Sequence, residues 1–179
     1  MKSSRGFPWP KILGPGAVAA FLLLTYWFFT VIAQSPGVPR KAIAKNDVVQ
    51  IATAITAYET EYGKLPSPNG DVQDVGGPVL QALLGSNADL NPLKIVFLDV
   101  PAGKNNRGGL RDGKFVDPWG SPYKMKFDTD SDNKVQNVGP AQNLTAEISK
   151  KVAVWNDPDT HADRPNEKTK QRRAVTSWN

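Results

Sequence analysis

The sequence predicts an α+β domain carried behind a single apolar helix, and three observations support that expectation. An uncharged, largely apolar run extends from Ile12 to Gln34, apolar residues recur three and four apart from Ala44 to Tyr62, and apolar and polar residues alternate from Tyr123 to Asp128. The first pattern suits a membrane helix, the second one face of an amphipathic helix, and the third a strand with one buried side. At 179 residues, the chain has room for one domain of ordinary size once the apolar run is set aside.

The apolar run is rich in large residues, among them Phe21, Leu22, Leu23, Leu24, Phe28 and Phe29. At about 1.5 Å per residue its roughly 22 residues rise about 33 Å, enough to cross a hydrocarbon core of about 30 Å. Lys2, Arg5 and Lys11 precede it with no acidic residue among them. That bias keeps the N-terminus cytoplasmic and places everything after the run across the membrane. Trp9 suits the cytoplasmic interface, and Tyr26, Trp27, Phe28 and Phe29 suit contact with the lipid bilayer. A cleavable signal peptide is the competing reading, since Val31 and Ala33 have the small-residue spacing that signal peptidase reads, ahead of Gln34. The run exceeds the usual apolar length of such peptides, about 7–15 residues, which favours a retained anchor.

The formal charge is +5, but three of the 22 basic residues precede the anchor, leaving 19 against 17 acidic ones. The remainder is therefore nearly neutral. Its basic cluster, Lys168, Lys170, Arg172 and Arg173, has no interleaved aromatic residues and reads as a solvated surface rather than a nucleic-acid platform. The chain has no cysteine, which excludes disulfides and thiolate metal sites.

After the anchor, Ser35-Pro36-Gly37-Val38-Pro39 should break the helix and form a short linker. A second helix then starts near Arg40. Ala44, Val48, Ile51, Ile55, Tyr58 and Tyr62 share one of its faces, while Lys45, Gln50, Thr53, Thr60 and Lys64 occupy the other. Gly63 is placed to cap it and Pro66 prevents its continuation. Gly76-Gly77-Pro78 leads into a short helix over Val79 to Leu84, closed by Gly85. Beyond it the pattern turns to strands: Ile95 to Leu98 as a short apolar run, then Tyr123, Met125 and Phe127 alternating with Lys124, Lys126 and Asp128. Asp130-Ser131-Asp132-Asn133 is rich in turn formers, so Lys134 to Val138 is expected to return as the hairpin partner of that strand. Val152, Val154 and Trp155 supply a last strand. The resulting division is a cytoplasmic segment 1–11, an anchor 12–34, a linker 35–39 and one domain 40–179, with helix and antiparallel strands burying one another.

Three segments, in order, resemble the major pseudopilin family of type II secretion systems. Ile55 to Pro66 (ITAYETEYGKLP) is similar to the end of that family's long helix, and Asp117-Pro118-Trp119-Gly120-Ser121-Pro122-Tyr123 to its Asp-Pro-Trp-Gly-x-Pro-Tyr segment. Val152-Ala153-Val154-Trp155, an aspartate-rich loop and Ser177-Trp178 are similar to its closing strand and tail. The resemblance implies a pilin-like fold, with a long helix packed on a small antiparallel sheet. It also implies a non-enzymatic structural subunit of a type II secretion or pilus-like assembly, anchored in the bacterial inner membrane with its domain in the periplasm. Its partners would be other pilin-like subunits. Physically, Pro118 and Pro122 fix backbone angles, Gly120 permits a turn, and Trp119 can fill the gap between helix and sheet.

The N-terminus departs from that family. Arg5-Gly6-Phe7 is similar to a prepilin cleavage point, but the fifth residue counted from Phe7 is Lys11 where the family has a glutamate, and Pro8 and Pro10 oppose a helix there. The linker also separates two helices that filament packing needs joined. Both features weigh against prepilin processing. They favour the alternative of a pilin-fold accessory subunit anchored in another membrane complex without forming filaments.

The resemblance further implies calcium in the C-terminal loop. Asp157, Asp159 and Asp163 could contribute to the six to eight oxygens calcium prefers, although Pro158, His161 and Arg164 interrupt them and the loop has no glycine. A second acidic stretch, Asp128-Thr129-Asp130-Ser131-Asp132-Asn133, starts like an EF-hand loop. It then has Asn133 at the glycine position and Gly139 where a bidentate glutamate belongs, so a polar turn is expected. Catalytic patterns are sparse: His161 is the only histidine, no serine sits in a nucleophile elbow, and the glycine pairs lack phosphate-loop spacing.

Overall fold

The computed structural model of the chain describes residues 23–27, 39–103, 108–140, 145–161 and 163–178. Two units are distinguished, Met1–Gly37 and Val38–Asn179. In the first, residues 23–27 are helical, with Leu23, Leu24, Tyr26 and Trp27 exposed. The rest of the expected anchor, the segment before it and linker residues 35–38 lie outside the described residues. Among the described residues, no helix is long and apolar enough to cross a membrane.

The second unit mixes helices with small antiparallel sheets. Helix α1 (Arg40–Tyr62) begins directly after Pro39, whose φ of −55° and ψ of 132° are not helical, and ends at Gly63 with φ 67°. Gly63 donates its amide to the Glu59 carbonyl, a left-handed cap that favours glycine. The buried side of α1 carries the expected Ala44, Val48, Ile51, Ile55 and Tyr58, together with Ala54 and Asp47. Lys45, expected on the solvent side, is half-buried and donates from Nζ to the Thr176 carbonyl at 2.7 Å. Its long stem lets the charge reach the C-terminal segment while the backbone stays at the edge of the apolar face.

Among the described residues, seven short strands follow: β1 (Gln73–Asp74), β2 (Gly109–Arg111), β3 (Lys114–Val116), β4 (Lys124–Phe127), β5 (Val135–Val138), β6 (Thr145–Ile148) and β7 (Val152–Trp155). Helix α2 (Gly77–Leu83) lies between β1 and β2, and α3 (Glu167–Arg173) follows β7. The central sheet has the order β1-β4-β7, while β2-β3 and β5-β6 form separate two-stranded sheets, all antiparallel. Strand β4 has Lys124 opposite Trp155 and Phe127 opposite Val152.

All four residues of β7 are buried, because the strand lies between two apolar clusters. Val152 and Val154 join α1, α2 and β4 in the main core, while Ala153 and Trp155 face Val135, Val138 and Ile148 from the β5-β6 pair. Alternate side chains thus serve opposite faces, which explains why the strand reads as continuously apolar.

Two strand expectations are corrected. Residues 134–138 do not return onto β4. β7 pairs along all of β4 and β1 takes the other edge at Lys124 and Met125, while β5 pairs with β6, a strand that its sequence did not announce. Residues 95–98 form no strand, since the amides of Phe97 and Leu98 donate to the Leu83 carbonyl at the end of α2. The Ile95 amide and carbonyl are bonded to the buried Asn91 side chain, which satisfies the backbone without a ladder.

Candidate functional site

The Asp117-Pro118-Trp119-Gly120 segment follows β3 and turns sharply, with Gly120 at φ 96° donating its amide to the Asp117 carbonyl. That turn aims the Asp117 carboxylate inward, where it accepts four hydrogen bonds. Oδ1 takes the backbone amides of Trp119 (2.9 Å) and Ser121 (3.0 Å), while Oδ2 takes His161 Nε2 (2.7 Å) and Asn156 Nδ2 (3.3 Å). Four donors fill the usual acceptor capacity of a carboxylate. The Asp117 and His161 side chains are fully buried.

His161 sits just after the 3₁₀ turn Pro158–Thr160 that follows β7. Its ring stacks on Trp119 with centroids 5.2 Å apart and an interplanar angle of 23°. Arg173, at the end of α3, lies over the same indole, its guanidinium carbon 5.4 Å from the Trp119 centroid, and its NH1 is 3.4 Å from His161 Nδ1. An arginine can only donate, so Nδ1 accepts and Nε2 carries the proton given to Asp117. Both ring nitrogens are therefore engaged within the protein. Asn156 completes the cluster, accepting the Val175 amide at 2.9 Å and donating to the Arg173 carbonyl at 3.2 Å. The arrangement ties the chain after β7 to the turn before β4, and Trp119, partly buried against the core, is also the lid over His161.

The three C-terminal aspartates are held by separate partners. Asp157 begins the 3₁₀ turn and accepts the Asp159 amide at 3.2 Å. Asp159 pairs with Lys170. Asp163 receives both Arg173 nitrogens, at 2.9 and 2.8 Å, and that hydrogen-bonded guanidinium holds its carboxyl below the usual range.

The other acidic segment gathers its carboxylates instead. Among the described residues, Asp128, Asp130 and Asp132 form the one group of at least three acidic, histidine or cysteine ligands whose atoms lie within 4.8 Å of one another. Asp128 is buried and accepts the amides of Ser131 and Asn133, both at 2.8 Å. Burial pushes its carboxyl up, but hydrogen bonds from Asp130 and from those amides outweigh that and hold it below the ordinary range. The same hydrogen bond, with the charge of Asp132, pushes Asp130 up. Ser131 and Asn133 adopt positive φ, as a tight polar turn requires.

A further buried acid lies on α1. Asp47 is 8 % exposed and accepts the Tyr123 hydroxyl at 2.8 Å. Desolvation raises its pKa to about 6, against the lowering effect of Tyr123, with the Asp117 charge adding to the rise. Its place in the apolar stripe, three residues after Ala44 and four before Ile51, was the available sequence signal for this pair. No comparable signal announced Asp117 and His161, which are 44 residues apart.

Comparison of the chain with protein-family models, with curated proteins and with solved structures gives no match.

Proposed function

We propose that the chain is a pilin-like structural subunit, anchored by its N-terminal apolar run in a bacterial inner membrane, whose non-enzymatic work is packing against other pilin-like subunits. The observation that carries this reading is the outward face of α1. From Val48 to Tyr58 the helix has no charged residue, and Val49, Thr53, Thr56, Ala57 and Thr60 are exposed. The hydroxyls of Thr53, Thr56 and Thr60 donate to the carbonyls four residues back, at 2.8 to 3.0 Å. The face thus offers small side chains whose polar groups are already satisfied, a surface suited to close approach of another subunit. The long helix on small antiparallel sheets and the Asp117 to Tyr123 turn add support through the resemblance.

A second reading is favoured by Pro39. Its extended conformation at the start of α1 suits a domain tethered to its anchor, as an accessory subunit of another membrane complex would be. Membrane fractionation with mass analysis of the N-terminus tests both. A membrane-bound chain beginning at Phe7 supports the assembly subunit, and an intact membrane-bound chain the accessory subunit. Recovery of the protein outside the membrane, cut after Ala33, would defeat both.

A further inference from the structure

The resemblance implies a calcium ion in the C-terminal loop, and the residues present do not fit one. Calcium prefers six to eight oxygens at 2.3 to 2.6 Å. Here Asp159 is turned to Lys170, and Asp163 is filled by the bidentate Arg173 fork. Asp157 is used on its own turn, and the neighbouring Asp117 already has four donors. An incoming ion would have to displace two of the chain's own cations.

We propose that an internal pair of cations, Lys170 and Arg173 on α3, clamps the 157–163 loop in place of a bound divalent ion. The two side chains lie one turn apart on the same helix, so both reach the loop from one side. Arg173 is a fixed group rather than a waving surface charge. Its guanidinium lies over Trp119, touches His161 Nδ1 and grips Asp163 with two parallel bonds, and its side chain is 18 % exposed. The backbone carbonyl of the same residue is held by Asn156, so the helix end cannot swing away without breaking the buried cluster. Planar, two-pronged recognition of a carboxylate is what arginine supplies and lysine does not. The clamp depends on this chain's own residues, whichever assembly the chain serves.

Hydrogen exchange on the full-length chain in detergent micelles tests the clamp, with the amides of residues 157–164 as readout. The expected result is equal protection of those amides in millimolar calcium and in chelator. Arg173→Met should raise their exchange several-fold, and Lys170→Met by less, with calcium restoring neither. Calcium-dependent protection within 157–164 of the wild-type chain would overturn the proposal. So would an Arg173→Met variant whose loop is as protected as the wild type. The wild-type comparison stands even if a variant fails to fold.

Discussion

Asp117 and Asp47 are both buried aspartates, both within reach of the 121–123 stretch, and their surroundings differ sharply. Asp117 receives two backbone amides, an asparagine and a histidine. Asp47 accepts the Tyr123 hydroxyl, the one side-chain hydrogen bond to it among the described residues, and its pKa is raised to about 6 chiefly by desolvation. Burial by itself does not set the behaviour of a carboxylate. The donors converging on it do, because each replaces part of the water that burial removed. One aspartate organises a loop, and the other has its pKa raised to about 6.

The largest expected effect breaks the better-satisfied site. Asp117→Ala should cost about 3–5 kcal/mol, because it leaves three buried donors and the part-buried Trp119 amide without their acceptor. Chemical denaturation of the full-length chain in detergent measures it. A loss below about 1 kcal/mol would mean that water or another group replaces the carboxylate.

Ile55→Ala sets the scale against an apolar deletion in the same core. Ile55 is fully buried on α1, and its truncation should cost about 2–5 kcal/mol. If this loss exceeds that of Asp117→Ala, packing outweighs the polar cluster in holding the domain.

Asp47→Asn sharpens the contrast from the other side. Because the folded pKa is raised above 3.8, the Asp47 contribution is fully present below about pH 3.8 and is lost as pH rises through about 6. A displacement of about two units is worth about 3 kcal/mol in full, and solvent screening reduces the expectation to about 1–2 kcal/mol. Relative to wild type, Asp47→Asn should therefore gain that much stability between pH 4 and pH 8. A constant difference across that range would show that Asp47 does not titrate there.

The smallest effect is a shift of midpoint. Tyr123→Phe removes the donor that lowers the Asp47 pKa, so the pH at which this stability is lost should move above about 6. An unchanged midpoint in the pH profile of unfolding would show that the Tyr123 hydrogen bond does not lower the Asp47 pKa.

The elements legible in the sequence are those whose cause is local. The spacing from Ala44 to Tyr58, the Gly63 cap and the alternation of Tyr123, Met125 and Phe127 each act within one or two turns or a single strand. Asp117-Pro118-Trp119-Gly120 announced its turn for the same reason. It did not announce that the turn serves to aim a carboxylate. The aspartates at 157, 159 and 163 were legible as acidic residues, but the α3 partners of Asp159 and Asp163 were not, since those depend on a helix that the basic cluster suggested only as solvated surface.

By itself, then, the sequence determined an α+β domain, its long helix, its central and closing strands and the glycine and proline positions that end them. Only the tertiary structure decided that β5 joins β6, that residues 95–98 stay out of any sheet, and that His161 meets Asp117. The physical reason is competition for partners. Local periodicity says which face of an element is apolar. Which edge, carbonyl or carboxylate remains unoccupied depends on groups brought together across 44 residues for His161 and Asp117, and 76 for Tyr123 and Asp47.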